Sequence, residues 1–275
     1  MNRLFLVASD MDHTLLMPGC DVSSRNIEAV NRIRDMGGAF VLSTGRSFYM
    51  TTKYIRDLDL RCPVIASNGA SIYDPLSRRE IFSSLIEEET ARDLLKLFIK
   101  RNTNATLYGP DGIYLMPGSL RGEFLEDYNR SLPPDLQAPL YHLTEDDLGR
   151  PLPKFNKFLI IEPRHDELDM VRSYPSLDLV SSAGGFFDVM NKGISKGTGL
   201  RFIAGHLGIS SDMTFALGDS ENDLSMLLSS SHPIAMKGSD PRLLQAAEYI
   251  TDTCEEDGFA KAVGDFILKT VSEKR

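Results

Sequence analysis

Arg3-Leu-Phe-Leu-Val-Ala8 is apolar almost throughout, short, and stops at Ser9-Asp10. A brief run without polar alternation predicts a strand buried on both faces, as in a parallel sheet. Ser23-Ser24 then predicts the start of a helix that carries Ile27, Val30 and Ile33 on one stripe and closes at Gly37-Gly38. Ala39 to Ser43 is a second strand of the buried type and runs straight into Thr44-Gly45-Arg46. A helical segment from about Phe48 to Leu58 leads to a third strand, Pro63 to Ser67, which ends at Asn68-Gly69-Ala70. Strand, helix, strand, helix, strand predicts a right-handed, mostly parallel α/β sheet.

The pattern changes from about residue 85. Glu87 to Lys100 has Ala91, Leu94, Leu95 and Phe98 at helical spacing, and Ala105 to Tyr108 and Ile113 to Met116 flank Gly109-Pro-Asp-Gly112, a hairpin signal. A proline-rich connection follows at 131–139. Next come a strand at Phe155 to Ile161, a helix at Asp166 to Tyr174, and strands Leu177 to Ser182 and Phe186 to Met190 about Gly184-Gly185. Hairpins mixed with helices over roughly a hundred residues predict an inserted α+β domain of ordinary size. The expected division is therefore a discontinuous core, 1–84 with 185–275, and an insert at 85–184.

The α/β texture resumes where Lys196 opens a helix bearing Leu200, Ile203, Ala204 and Leu207, ended by Gly208. Met213 to Leu217 is a buried strand that halts at Gly218-Asp-Ser-Glu-Asn-Asp223. A helix through Leu228, a strand at Pro233 to Met236, a helix from Asp240, a strand at Tyr249 to Thr251 and a helix from Gly258 to about Val271 complete the chain.

Composition narrows the function more than the fold. At 275 residues the chain is long for a single core. A net charge of −9 argues against a broad basic face for nucleic acid, yet leaves room for a small anionic ligand held by local cations. Three cysteines, Cys20, Cys62 and Cys254, are odd in number and far apart, and the five histidines are dispersed, so neither a disulfide framework nor a zinc site is expected. The first apolar run is too short for a signal-peptide core and no membrane-length run follows, so the expected location is cytoplasmic, with no membrane partner. No Gly-x-x-x-x-Gly-Lys-Ser/Thr occurs, and no Gly-x-Gly-x-x-Gly follows a strand.

Polar residues gather at predicted strand ends: Asp10 and Asp12, Ser43-Thr44, Asn68-Gly69, and Asp219 with Asp223, while Lys196 begins a helix. Taken singly, each has an ordinary explanation as a turn former, helix cap or solvated charge. Taken in order, they supply what phosphoryl transfer requires. One carboxylate can attack phosphorus, a second two residues on can serve as acid and base, and a hydroxyl and an ammonium can hold the phosphoryl oxygens. Several carboxylates beside a phosphate dianion need a hard cation such as Mg²⁺ between them.

Ser9-Asp-Met-Asp-His-Thr-Leu-Leu16, Leu42-Ser-Thr-Gly-Arg46, Ser67-Asn-Gly-Ala70, Ile194-Ser-Lys-Gly197 and Ala216-Leu-Gly-Asp-Ser-Glu-Asn-Asp223 together resemble the haloacid dehalogenase superfamily of phosphohydrolases, in its Cof-type branch with a large α/β cap. The resemblance implies an α/β fold, a Rossmann-like mostly parallel core sheet with an inserted α+β cap domain. It implies Asp10 as nucleophile, Asp12 as general acid/base with its backbone carbonyl on Mg²⁺, and Thr44 and Lys196 on the phosphoryl group. Asp10, Asp12, Asp219 and Asp223 would form the metal site, and Gly45, Arg46, Asn68, Gly69, Asn191 and Asn222 would lie near the substrate. His13 stands where the family usually has glycine, a substitution that strains the backbone if the site needs a positive φ. The implied activity is Mg²⁺-dependent hydrolysis of a small phosphorylated metabolite, a sugar phosphate, through an aspartyl-phosphate. A phosphomutase on the same covalent path and a non-catalytic sensor of a phosphorylated ligand are the alternatives. Basic residues of the insert such as Arg121, Lys154 and Lys157 are expected as solvated surface charge.

Overall fold

In the computed structural model, which describes residues 4–182 and 185–274, Phe5–Ser9 is the centre of a parallel sheet and is buried along its whole length. Phe5 and Val7 face one hydrophobic cluster, with Ile33, Phe40 and Phe259. Leu6 and Ala8 face another, with Val41, Ile203 and Met226. Both faces are covered, which is why the strand shows no polar alternation. The sheet runs Tyr249–Thr251, His232–Met236, Thr214–Gly218, Phe5–Ser9, Gly38–Leu42, every pair parallel. Its strand ends therefore share one rim, where Asp10, Ser43-Thr44 and Asp219 emerge.

Beyond Gly38–Leu42, a parallel bridge between Ser43 and Ile65 and a hydrogen bond from Thr44 N to Ile65 O (2.8 Å) attach Val64–Ala66. That strand heads an antiparallel sheet with Ser71–Asp74 and Arg79–Ser83. The hydrophobic pattern does not announce this hairpin, because Arg79–Ser83 is at best half-buried.

The insert is built on a six-stranded sheet. Its order is Leu177–Ser182, Phe186–Asn191, Lys157–Ile161, Ala105–Gly109, Gly112–Leu115, Leu140–His142, antiparallel except for the last pair. Phe158, Ile160, Val189 and Leu107 on one face meet Leu94, Leu95 and Phe98 of helix Glu88–Arg101 and Val171 of helix His165–Arg172. Tyr108, Leu159, Ile113 and Leu115 are on the other face, which looks toward the core and packs with Leu125 and Met50. Helix Gly122–Arg130 was not among the expected elements; it is short, and Leu125 is its one buried residue, with Tyr128 half-buried one turn on.

The expected boundary after residue 184 needs correction. Phe186–Asn191 pairs with strands on both sides in the insert's sheet, so the insert extends to Asn191. Gly184 of the expected turn lies outside the described residues. The two crossings between core and insert are joined by Asn191, whose Nδ2 donates to Ser84 Oγ (3.0 Å) and Leu85 O (2.8 Å). Among the described residues, no helix is long and apolar enough to cross a membrane.

Candidate active site

The rim of the core sheet assembles residues from distant stretches of chain. Asp10 follows the central strand, and Lys196 is the first residue of helix Lys196–Leu207, where Ser195 Oγ caps Thr198 N (3.2 Å). Lys196 Nζ reaches Asp10 Oδ1 at 2.5 Å and Asp223 Oδ1 at 2.6 Å, and all three groups are buried. Asp223 Oδ2 accepts from the backbone N–H groups of Asp219 and Ser220, both at 3.1 Å. Asp219 Oδ1 accepts from Thr14 Oγ1 at 2.9 Å.

Oxygens of Asp10, Asp219 and Asp223 all lie within 4.8 Å of one another. Burial, then the charge of Asp223, raise the Asp10 pKa well above the ordinary carboxylate value, against the pull of Lys196. Burial and Asp223 push Asp219 up to about 6. Burial lowers the Lys196 pKa, but Asp10 and Asp223 reverse this and hold the ammonium charged. Three crowded carboxylates facing one ammonium form an electrostatically unbalanced, all-oxygen donor set. That is the chemistry of a site for a hard divalent cation.

The carboxylate of Asp12 stands apart from this group. Arg46 grips it with two nitrogens, Nε to Oδ2 at 2.8 Å and Nη2 to Oδ1 at 2.5 Å. Both residues line a cavity of about 330 Å³ that also reaches Asp10, Thr44, Asp219 and Asn222. His13 is at its mouth, exposed and with φ +62°, the left-handed conformation in which the family's usual glycine carries no strain. Tyr108, Leu159 and Phe186 of the insert form the facing wall. Arg121 lies over Phe124 (4.8 Å) and Phe186 (5.8 Å) at the same wall.

The remaining expected residues divide into two groups. Thr44 is buried with Oγ1 accepting from Arg46 N (3.1 Å), and Gly45 lines the cavity. Asn68 is buried just behind it, its Oδ1 accepting from Asn222 Nδ2 at 3.2 Å. Gly69 and Asn191 do not line the cavity. Gly69 packs so closely on the start of the Lys196 helix that a Cβ there would sit 2.2 Å from Ser195 O. Asn191 serves the crossing between core and insert instead, because its strand belongs to the insert's sheet.

Two buried charges of the site, Lys157 and Asp188, were misread or missed. Lys157 is only 3 % exposed and forms an ion pair with Asp188, 2.6 Å apart and equally buried. A charged residue inside an apolar strand was the available signal at both positions, in Phe155 to Ile161 and in Phe186 to Met190.

Comparison with known proteins gives the family. A family model described as haloacid dehalogenase-like hydrolase matches residues 7–263. The Bacillus subtilis protein 5-amino-6-(5-phospho-D-ribitylamino)uracil phosphatase YcsE is 27% identical over 263 residues, covering 96% of each chain. Phosphatase YwpJ of the same organism is 29% identical over 279 residues, covering 93% of this chain and 97% of its own. The solved structure of a haloacid dehalogenase-like hydrolase from Bacillus subtilis superposes with a TM-score of 0.81 at 27% identity, over 96% of this chain and all of the other.

Proposed function

The chain belongs to the haloacid dehalogenase-like hydrolases and is a phosphatase, and from that premise we propose that it hydrolyses a small phosphorylated metabolite, a sugar phosphate, through an aspartyl-phosphate on Asp10. The observation that carries this reading is the buried Asp10 carboxylate, 2.5 Å from Lys196 Nζ at the base of a cavity that also holds Thr44 and the Arg46-gripped Asp12.

A carboxylate oxygen of Asp10 attacks phosphorus in line, and the bond from phosphorus to the substrate oxygen breaks. Asp12, which has to enter this step protonated and released from Arg46, gives its proton to that leaving oxygen. A water then attacks phosphorus, Asp12 takes its proton, and the acyl-phosphate bond breaks to release phosphate and restore Asp10. The Lys196 ammonium and the Thr44 hydroxyl hold equatorial phosphoryl oxygens as charge redistributes. Haloacid dehalogenase-like hydrolases use a divalent metal, and the donor set of Asp10, Asp219 and Asp223 fits one. Mg²⁺ held there, with the Asp12 carbonyl, would offset the repulsion between carboxylates and phosphate. The insert's wall over the cavity would exclude water and select the leaving group.

The three aromatic rings at that wall, Tyr108, Phe124 and Phe186, favour a second reading of the substrate. They suit a phosphorylated polyol that carries a flat ring, the kind of compound in the name of the relative YcsE.

The test is phosphate release from an aryl phosphate and from a panel of sugar phosphates and phosphorylated ribityl compounds. Wild type and Asp10→Asn are compared, each with Mg²⁺ and with EDTA. Activity that needs both Asp10 and Mg²⁺ is expected. An active Asp10→Asn protein would remove Asp10 as nucleophile, and phosphate moved on a sugar bisphosphate without release would indicate the mutase.

A further inference from the structure

The catalytic residues implied by the resemblance all belong to the core, yet two buried charges of the insert reach into the same network. Lys157 and Asp188 stand on neighbouring strands, with Asp188 opposite Leu159, so both side chains share the face that looks toward the core. Lys157 Nζ donates to Gly45 O at 2.6 Å. Gly45 is the residue between Thr44, assigned above to the phosphoryl group, and Arg46, which grips Asp12. Asp188 Oδ2 accepts from Asn68 Nδ2 at 2.8 Å. Asn68 in turn donates its backbone N–H to Thr44 O (3.0 Å), while Ser67 N donates to Arg46 O (2.8 Å).

Ser67 and Asn68 both have positive φ, +49° and +53°. Consecutive non-glycine residues hold that conformation only where their surroundings fix it. Here part of the fixing comes from another sheet. A buried ion pair contributes little net stability, because desolvation offsets the attraction, so its geometry is better explained by what it specifies. With the insert lifted, Lys157 and Asp188 would return to water, and the Gly45 carbonyl and the Asn68 amide would each lose a partner.

We propose that the Lys157–Asp188 pair is a positioning device that makes the phosphoryl-holding loop Ser43–Arg46 depend on seating of the insert. The proposal rests on the phosphatase reading above. It assigns the pair no bond to substrate: its bonds run to the two loops that carry Thr44, Arg46 and Asn68. Chemistry would then be switched on by closure itself, because the loop is fully fixed only in the closed molecule.

The experiment compares wild type with Lys157→Met, Asp188→Asn and the double variant Lys157→Met/Asp188→Leu. The double variant removes both buried charges together and so retains folded stability. Two readouts are used: inhibition by orthovanadate, a phosphoryl mimic with no leaving group, and backbone amide exchange. Positioning predicts that kcat falls and the vanadate inhibition constant rises, each about 10- to 100-fold, for every phosphate ester tried. It also predicts faster exchange at Thr44, Ser67 and Asn68, with the Phe5–Ser9 strand unchanged. Changes of less than about twofold in vanadate inhibition, with a rise in KM for particular substrates alone, would overturn the proposal and make Lys157 a leaving-group contact. Unaltered exchange at those amides would overturn it as well, and this readout needs no turnover. If Lys157→Met does not fold, the double variant and Asp188→Asn carry the same criteria. A wild type silent toward all phosphates and vanadate would refute the phosphatase reading instead, while amide exchange would still decide the coupling.

Discussion

Lys196 Nζ lies 2.5 Å from Asp10 Oδ1 although 186 residues separate the two in sequence. With Asp223 at 2.6 Å on its other side, the ammonium is the counter-charge for a buried carboxylate pair. Lys196→Met would leave both carboxylates buried and unpaired. Removing one partner of such a pair costs about 3–5 kcal/mol, so denaturant midpoints of the metal-free protein should fall accordingly, together with activity. A variant of wild-type stability would show that the pair is not formed in solution.

In the proposed mechanism Asp12 is the general acid, and such an acid matters in proportion to how poor the leaving group is. Asp12→Asn should lower kcat for alkyl phosphates by roughly 10²- to 10⁴-fold. A nitrophenyl ester, whose leaving oxygen needs little help, should lose much less. Equal losses across leaving groups would remove the acid role.

The carboxylate group also sets a pH dependence. Asp219 is held at about 6 against an ordinary 3.8. Below about pH 4 it is protonated whether the chain is folded or not. Between about 4 and about 6 the unfolded chain has lost the proton that the folded chain keeps, so stability falls as pH rises through this window. Asp10, also raised, adds the same sign. Mg²⁺ bound there would relieve that cost and must compete with protons below it. Thermal unfolding followed by circular dichroism should therefore show a larger Mg²⁺-induced rise in Tm at about pH 8 than at about pH 5. The same rise at both would contradict the raised pKa values.

Gly69→Ala tests the seat of the Lys196 helix. Position 69 has φ +96°, and its Cβ would collide with Ser195 O. The expected cost exceeds about 1 kcal/mol, with reduced activity because Ser195 caps the helix that starts at Lys196. Gly205→Ala in the same helix, where a Cβ meets nothing within 4 Å, should instead stabilise by about 0.5–1 kcal/mol. Chemical denaturation of both variants checks the contrast.

The sequence by itself determined the parts governed by local pattern. The buried strand before Asp10, the Ser23-capped helix and the helix opened by Lys196 each lie where hydrophobic periodicity and capping residues put them. Because strands of a parallel sheet end on one rim, Asp10, Thr44 and Asp219 were also expected together. What the pattern could not convey is which insert residues turn inward. Strand Phe186–Asn191 belongs to the insert because its hydrogen bonds are made with Lys157–Ile161 and Leu177–Ser182, a pairing decided across sequence distance. The same pairing buries Lys157 against Asp188, whereas lysine is by composition a surface residue. Asn191 and Gly69 likewise make joints that only the assembled chain provides, Asn191 to Ser84 and Gly69 against Ser195. Burial of a charge is repaid by partners, and partners from separate stretches meet only in the tertiary fold.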